Sequence, residues 1–345
     1  MKHKWILWLV AVISLVLVNN VTGQEDDLHI VATTTQAADL VNILADGAEG
    51  VTIDALMGAG VDPHLYQPTE ADIVAMNQAD VVVYSGLNLE GQFDVVFEAL
   101  GERGVLTFAM GQSVKDAGFI VGGFDLSEEL VDVDDPHFWF DPRNWEITVQ
   151  ALAETLAEAD ETNADVYLEN AEAYIEDLQL LYEWANEGMQ SVTEGQRYLV
   201  TSHDAFQYFG AAFGWRVSGI QGLSTEDEAG VGDIQDTVDF VIENEIPVLF
   251  VESSISPDTI EAVVEAVEND GGEVRIGIRE LYSDAMGSPD TFGGVYVGML
   301  AENVLTILQS YACAGVDVEI PDWPQDLEPV PSEELLDAEC DAADE

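Results

Sequence analysis

The strongest constraint in this chain is a repeated alternation of two kinds of segment. The runs "HIVATTT" (29–35), "VTIDALM" (51–57), "DVVVYSG" (80–86) and "GVLTFAM" (104–110) read as β-rich, and helix-like stretches such as "QAADLVNILADG" and "EADIVAMNQA" separate them. The scheme returns in "RYLVTS" (197–202), "RVSGI" (216–220), "IPVLFVE" (246–252) and "EVRIG" (273–277), interleaved with "DAFQYFGAAFG", "IQDTVDFVIENE" and "DTIEAVVEAVEND". Strands alternating with helical patterns fold into parallel sheets covered by helices, so an α/β chain with two such lobes is expected.

Between the two series lies "DVYLENAEAYIEDLQLLYEWANEGMQ", in which Tyr167, Ala171, Tyr174, Leu178, Leu181 and Ala185 step by four and three. This spacing places them on one face of a helix of roughly 25 residues, about 40 Å long at 1.5 Å per residue. Such a helix is a stiff connection. The expected layout is an N-terminal lobe over 24–165, a linker helix over 166–193, a C-terminal lobe over 194–312 and an acidic tail over 313–345.

Residues 1–23 precede this pattern with Lys2 and Lys4, the apolar run "WILWLVAVISLVLV" and the small-residue stretch "NNVTG". That order is the order of an export signal. A retained membrane anchor is the alternative, although the apolar run is short against the ~20 residues that a bilayer core requires. No cysteine lies near the expected cut, which argues against a thioether-linked lipid. The expected location is therefore outside the cytoplasmic membrane, in a periplasm or at the cell face. Cys313 and Cys340 are the two cysteines of the chain. In an exported protein a disulfide tying the tail to the last helix is expected, with two independent thiols as the alternative.

Charge excludes two classes of partner. The chain has 68 acidic against 9 basic residues, and a surface of that sign repels nucleic acid and anionic lipid. The acids are spread along the whole chain, which favours adaptation to a salty or acidic habitat over a local field that gathers metal.

In open α/β sheets ligands bind beyond the carboxyl ends of the strands, so the residues that follow each strand carry the functional argument. "GAG" and then His64 follow the second run, within "GVDPHLYQPTEAD". Thr69 and Asp72 there resemble a capping box that starts the next helix. A second Asp-Pro-His sequence places His137 in "DDPHFWFDPRNW", His203 follows "RYLVTS", and Asp284 lies in "LYSDAMG" after the last strand. Of the five histidines, His3 belongs to the signal and His29 sits inside a strand, where a satisfied structural role is expected. Three histidines at strand ends, with a carboxylate, suit a divalent transition ion, and zinc accepts four nitrogen and oxygen donors.

The segments "GVDPHLYQPTEAD", "DPHFWFDPRN", "VTSHDAFQYFGAAFGW" and "LYSDAMG" resemble, in order and spacing, the motifs of solute-binding receptors that deliver zinc or manganese to ABC importers. The resemblance runs from about His29 to Ala312. It implies two α/β lobes bridged by a rigid helix, with the ion in the cleft between them. Residue by residue, it implies His64 and His137 as ligands from the first lobe and His203 and Asp284 as ligands from the second. The implied cargo is Zn²⁺, with Mn²⁺ as the alternative, and the implied partner is the membrane permease of the importer; a monomer is expected. The chain departs from many zinc receptors in having the acidic "FDLSEELVDVDD" (124–135) where they carry a histidine-rich loop.

Other residues carry less. Asp141 and Arg143 could orient ligands or merely start a helix. Glu252 ends a strand, where a surface or capping role is expected over one in the cleft. "SHDAF" holds Ser202, His203 and Asp204 in a row, but adjacent residues cannot face one another as a catalytic triad. A zinc hydrolase would need an open coordination position and a general base, and a surface adhesin would keep the metal for structure alone; a transport receptor without catalysis is the expected class.

The acid excess generates a prediction. Mutual repulsion should weaken the fold at low ionic strength and relax as ions screen it within about 10 Å at 0.1 M. The melting temperature is expected to climb from low to molar salt, and a flat response would contradict an adapted surface.

Overall fold

The computed structural model describes residues 27–124, 133–337 and 340. The expected export signal and most of the acidic stretch 124–135 lie outside these residues. Strands β1 (Leu28–Ala32), β2 (Val51–Ala55), β3 (Val81–Tyr84) and β4 (Leu106–Ala109) form a parallel sheet in the order β2-β1-β3-β4. Ile30, Val31 and Ala32 of the central strand β1 have no exposed surface, the pattern of a parallel strand covered on both faces. A short antiparallel pair, β5 (Gly122–Phe124) with β6 (Val133–Asp134), was not anticipated, because its glycines carry little strand signal.

The second half repeats the parallel scheme. β7 (Tyr198–Thr201) pairs with β8 (Arg216–Gly219), and β9 (Val248–Leu249) pairs with β10 (Arg275–Ile276). A parallel bridge from Thr201 to Phe250 joins the two pairs. The order is therefore β8-β7-β9-β10, an α/β arrangement in both halves.

The connecting helix spans Ala164–Ser191, 28 residues or about 42 Å. Its buried face carries the expected Tyr167, Ala171, Tyr174, Leu178, Leu181 and Ala185, and adds Trp184, Gly188 and Met189. Gly188 sits where a Cβ would come within 2.8 Å of Leu308 Cδ1, so the final long helix, Tyr296–Cys313, packs directly against the linker's backbone. One continuous core runs from Ile30 and Val83 through Leu178 and Leu181 to Val248 and Val304. Because both sheets pack into this shared core, the connection is a load shared by many side chains and not a hinge on one strand of backbone. Among the described residues no helix is long and apolar enough to cross a membrane.

Part of the acidic C-terminal segment packs against the core. Val316, Val318, Ile320 and Trp323 lie against the main core, and Leu327 is fully buried. Trp184 Nε1 donates to the Pro321 carbonyl at 3.1 Å, and the rings of Trp184 and Trp323 meet at 4.8 Å. Its acidic residues hid an apolar series between them.

Cys313 and Cys340 form the disulfide, 27 residues apart. A closed loop of that length restricts the unfolded chain by about 3 kcal/mol in the chain-entropy estimate. Replacing both cysteines with serine is expected to lower the unfolding free energy by that order in a denaturant titration, whereas an unchanged midpoint would show that packing alone holds the C-terminal segment.

Candidate metal centre

Each residue of the centre is aimed by its own local structure. The two Asp-Pro-His segments share a device: Asp62 Oδ1 accepts from the His64 N–H at 2.8 Å, and Asp135 Oδ1 accepts from the His137 N–H at 2.9 Å. Proline keeps the preceding aspartate out of the helical region, which lets its carboxylate curl over to the N–H two residues on. His203 leaves β7 directly, and its N–H donates to Glu252 Oε1 at 2.8 Å. The turn there runs against Gly219 of β8, where a Cβ would lie 2.3 Å from Asp204 N and 2.4 Å from His203 C, so no side chain fits at that position. Asp284 follows β10, and its loop is held by the first half: its carbonyl accepts from Gln36 Nε2 at 3.0 Å, and the Met286 N–H donates to Thr35 Oγ1 at 2.9 Å.

These turns bring His64, His137, His203 and Asp284 together, all buried, with one donor atom from each lying within 4.8 Å of the others. Asp284 Oδ1 is 3.2 Å from His137 Nε2, 3.5 Å from His203 Nε2 and 3.9 Å from His64 Nε2, and the Nε2 atoms of His137 and His203 are 3.3 Å apart. Four donors at 2.0–2.1 Å around a tetrahedral ion would be spaced by roughly 3.3 Å. Three of the four are already at that spacing and His64 stands slightly outside it. Both oxygens of Asp284 and Nε2 of His64 are buried without hydrogen-bond partners, the condition of donors that await a cation.

The outer partners set which nitrogen faces inward. His137 Nδ1 lies 2.7 Å from Asp135 Oδ1, and His203 Nδ1 lies 2.6 Å from Glu252 Oε2. The second contact is ionic, without the alignment of a good hydrogen bond. A carboxylate at Nδ1 keeps a proton there and leaves Nε2 for the ion. Burial pulls the His137 pKa down, but the Asp135 and Asp284 carboxylates outweigh it and raise it to about 9. His203 is likewise carried upward against burial by Glu252 and Asp284. Burial depresses His64 to about 3 against the opposing pull of the Asp284 carboxylate, so this imidazole is neutral. Burial opposes the charge of Asp284, yet His203, with His137, holds its pKa well below the carboxylate range.

Glu252 is fully buried beside His203, which corrects the expected surface or capping role. Asp141 caps the helix Pro142–Ala159 and pairs with Arg143 at 2.8 Å, so these two start a helix. His29 bonds Asp54 at 2.9 Å outside the centre. Ser202 Oγ is buried without a hydrogen-bond partner, and His203 addresses Glu252 and Asp284, so no triad forms there. Asp135 and Gly219 escaped sequence reading; the repeated Asp-Pro-His sequence is a signal for the first, while nothing local marks the second.

Removing one outer carboxylate typically costs 10–100-fold in metal affinity. Asp135→Asn and Glu252→Gln are each expected to weaken metal binding within about that range, while His29→Ala leaves it unchanged. Competition against a chromogenic chelator checks this, and an unaffected Asp135→Asn would contradict it.

Residues 30–310 match the family model described as "Zinc-uptake complex component A periplasmic". The manganese-binding lipoprotein MntA of Bacillus subtilis is 40% identical over 286 residues, 83% of this chain and 90% of that protein. The zinc-binding protein TroA of Treponema pallidum is 38% identical over 284 residues, 82% of this chain and 88% of that protein. The solved structure of the periplasmic zinc binding protein TroA from Treponema pallidum superimposes with a TM-score of 0.75 at 37% identity, covering 82% of this chain and 99% of that one. With the matched span taking in both sheets and all four donors, the chain belongs to the periplasmic zinc-uptake component A family, the non-enzymatic metal-binding components of ABC importers.

Proposed function

We propose that this protein captures zinc outside the cytoplasmic membrane and delivers it to the permease of an ABC importer. The observation that carries the reading is the donor set, three imidazole nitrogens and one carboxylate converging at nearly tetrahedral spacing. Nitrogen-rich, four-donor sites favour zinc over manganese, both by geometry and by the Irving–Williams order. Four protein donors also leave no place for an activated water, which suits a carrier. In this reading His64 and His137 come from the lobe at 24–165, His203 and Asp284 from the lobe at 194–312, and the helix between them fixes the spacing.

Manganese is the second reading, favoured by the 40% identity to a manganese-binding relative and by the two partnerless oxygens of Asp284, which could bind an ion in bidentate fashion. Equimolar competition between the two ions on chelator-stripped protein separates the readings. Zinc is expected to occupy one site per chain and to displace manganese; retained manganese would overturn the preference. Alanine at His64, His137, His203 or Asp284 is expected to weaken binding by at least about a hundredfold, more than loss of an outer carboxylate.

The raised pKa values of His137 and His203 give a pH dependence. In the metal-free centre these imidazoles hold protons near neutral pH, and an ion must displace them. Acid therefore weakens binding and base strengthens it, by about tenfold per pH unit for each proton released between roughly pH 6 and 8. Calorimetry in two buffers of different ionisation enthalpy is expected to show release of at least one proton per ion; a pH-independent affinity would contradict the arrangement.

A further inference from the structure

His64 differs from the other donors in how it is held. Among the described residues no buried carboxylate backs its ring as Asp135 backs that of His137 and Glu252 that of His203, and it lies farthest from Asp284 Oδ1 at 3.9 Å. What positions it is its own backbone, through the bond from its N–H to Asp62 Oδ1. The other oxygen of that carboxylate, Asp62 Oδ2, accepts from Thr225 Oγ1 at 2.6 Å, a bond that spans 163 residues and crosses from the second half of the chain to the first. Thr225 is buried, and its neighbour Glu226 makes a parallel crossing, accepting from Gln92 Nε2 at 2.8 Å. A narrow crevice reaches His64 at this place, lined by Leu87, Asn88, Val133, Asp134 and Pro136 together with Leu223 and Ser224 of the loop that carries Thr225. The loop that carries Thr225 is thus both the wall of the crevice and the anchor of the one loosely held donor.

We propose that the Thr225–Asp62 hydrogen bond is a latch that governs release of the ion, with Thr225 a positioning residue acting on His64 through Asp62. While the bond is made, the Asp62 carboxylate is fixed from two sides and His64 stays over the centre. When the loop at 221–230 lifts, the bond opens, the crevice widens and His64 is free to swing off the ion, which leaves His137, His203 and Asp284 as an incomplete set. The latch thus couples movement of this loop to loss of a ligand.

The inference rests on the metal-receptor reading, and its test separates the two. Zinc-loaded wild type, Thr225→Val and Thr225→Ser are mixed with excess chelator in a stopped-flow instrument, and dissociation and association rates are measured together with the melting temperatures of the metal-free proteins. Thr225→Val keeps the side-chain shape and removes the donor. It is expected to raise the dissociation rate about tenfold or more, as loss of a hydrogen bond to a charged group implies, and to leave the association rate within about twofold. Thr225→Ser is expected to restore the wild-type rate. A general packing role would instead lower the melting temperature of the metal-free protein with no selective change in dissociation, and that result overturns the latch, as does a dissociation rate unchanged in Thr225→Val. Should Thr225→Val fail to fold, Thr225→Ala in the same assay decides on the same criteria. Failure of the wild type to bind zinc or manganese at all would overturn the receptor reading itself.

Discussion

A buried carboxylate facing three imidazoles is the interaction on which the rest of this structure depends. Asp284 has almost no exposed surface, and neither of its oxygens accepts a hydrogen bond. A charge in that position is costly unless positive charge stands next to it. In the metal-free protein the histidines supply it, which is why the pKa of Asp284 is driven down while those of His137 and His203 are driven up. A divalent cation does the same work better, because it can take several donors at once. The centre is therefore a place where the fold tolerates repulsion and desolvation that a bound ion relieves.

Such a centre binds tightly only if its donors are arranged before the ion arrives, and the architecture supplies that order. The shared core from Ile30 to Val304 and the helix Ala164–Ser191 hold the two halves together. Cross-half bonds then set the fine positions: Gln36 to the Asp284 carbonyl, Trp139 Nε1 to the Ser283 carbonyl and Thr35 to Met286. Donors preset in this way lose little freedom on binding, and the binding energy is not spent on ordering them. His64 is tied instead through its backbone N–H to Asp62.

The α/β scheme and the strand-ending positions of His64, His137 and His203 were legible in local pattern, whereas Asp284 entered the set through the resemblance to metal receptors. Strand-ending histidines, the doubled Asp-Pro-His and the four-and-three stepping of the linker helix each show within a short window. What stayed hidden depends on distant neighbours. Glu252 looked like a surface residue because glutamates are rarely fully buried, and only the approach of His203 from a neighbouring strand satisfies it. Gly219 had no sequence signal because its need comes from the backbone at His203 and Asp204 pressing against it. The segment after Cys313 read as an acidic tail because its apolar residues are scattered among acids, and the surface they cover, around Trp184, is contributed by a helix more than a hundred residues earlier.

The proposed centre has three imidazoles and one carboxylate, drawn from both halves, enclosing a single zinc ion. X-ray absorption spectroscopy of the zinc-loaded protein tests it most directly. The expected spectrum shows a low-coordinate shell at roughly 2.0–2.1 Å with the outer scattering of three imidazole rings and no sulfur. A six-coordinate shell dominated by oxygen, with one imidazole or none, would contradict it.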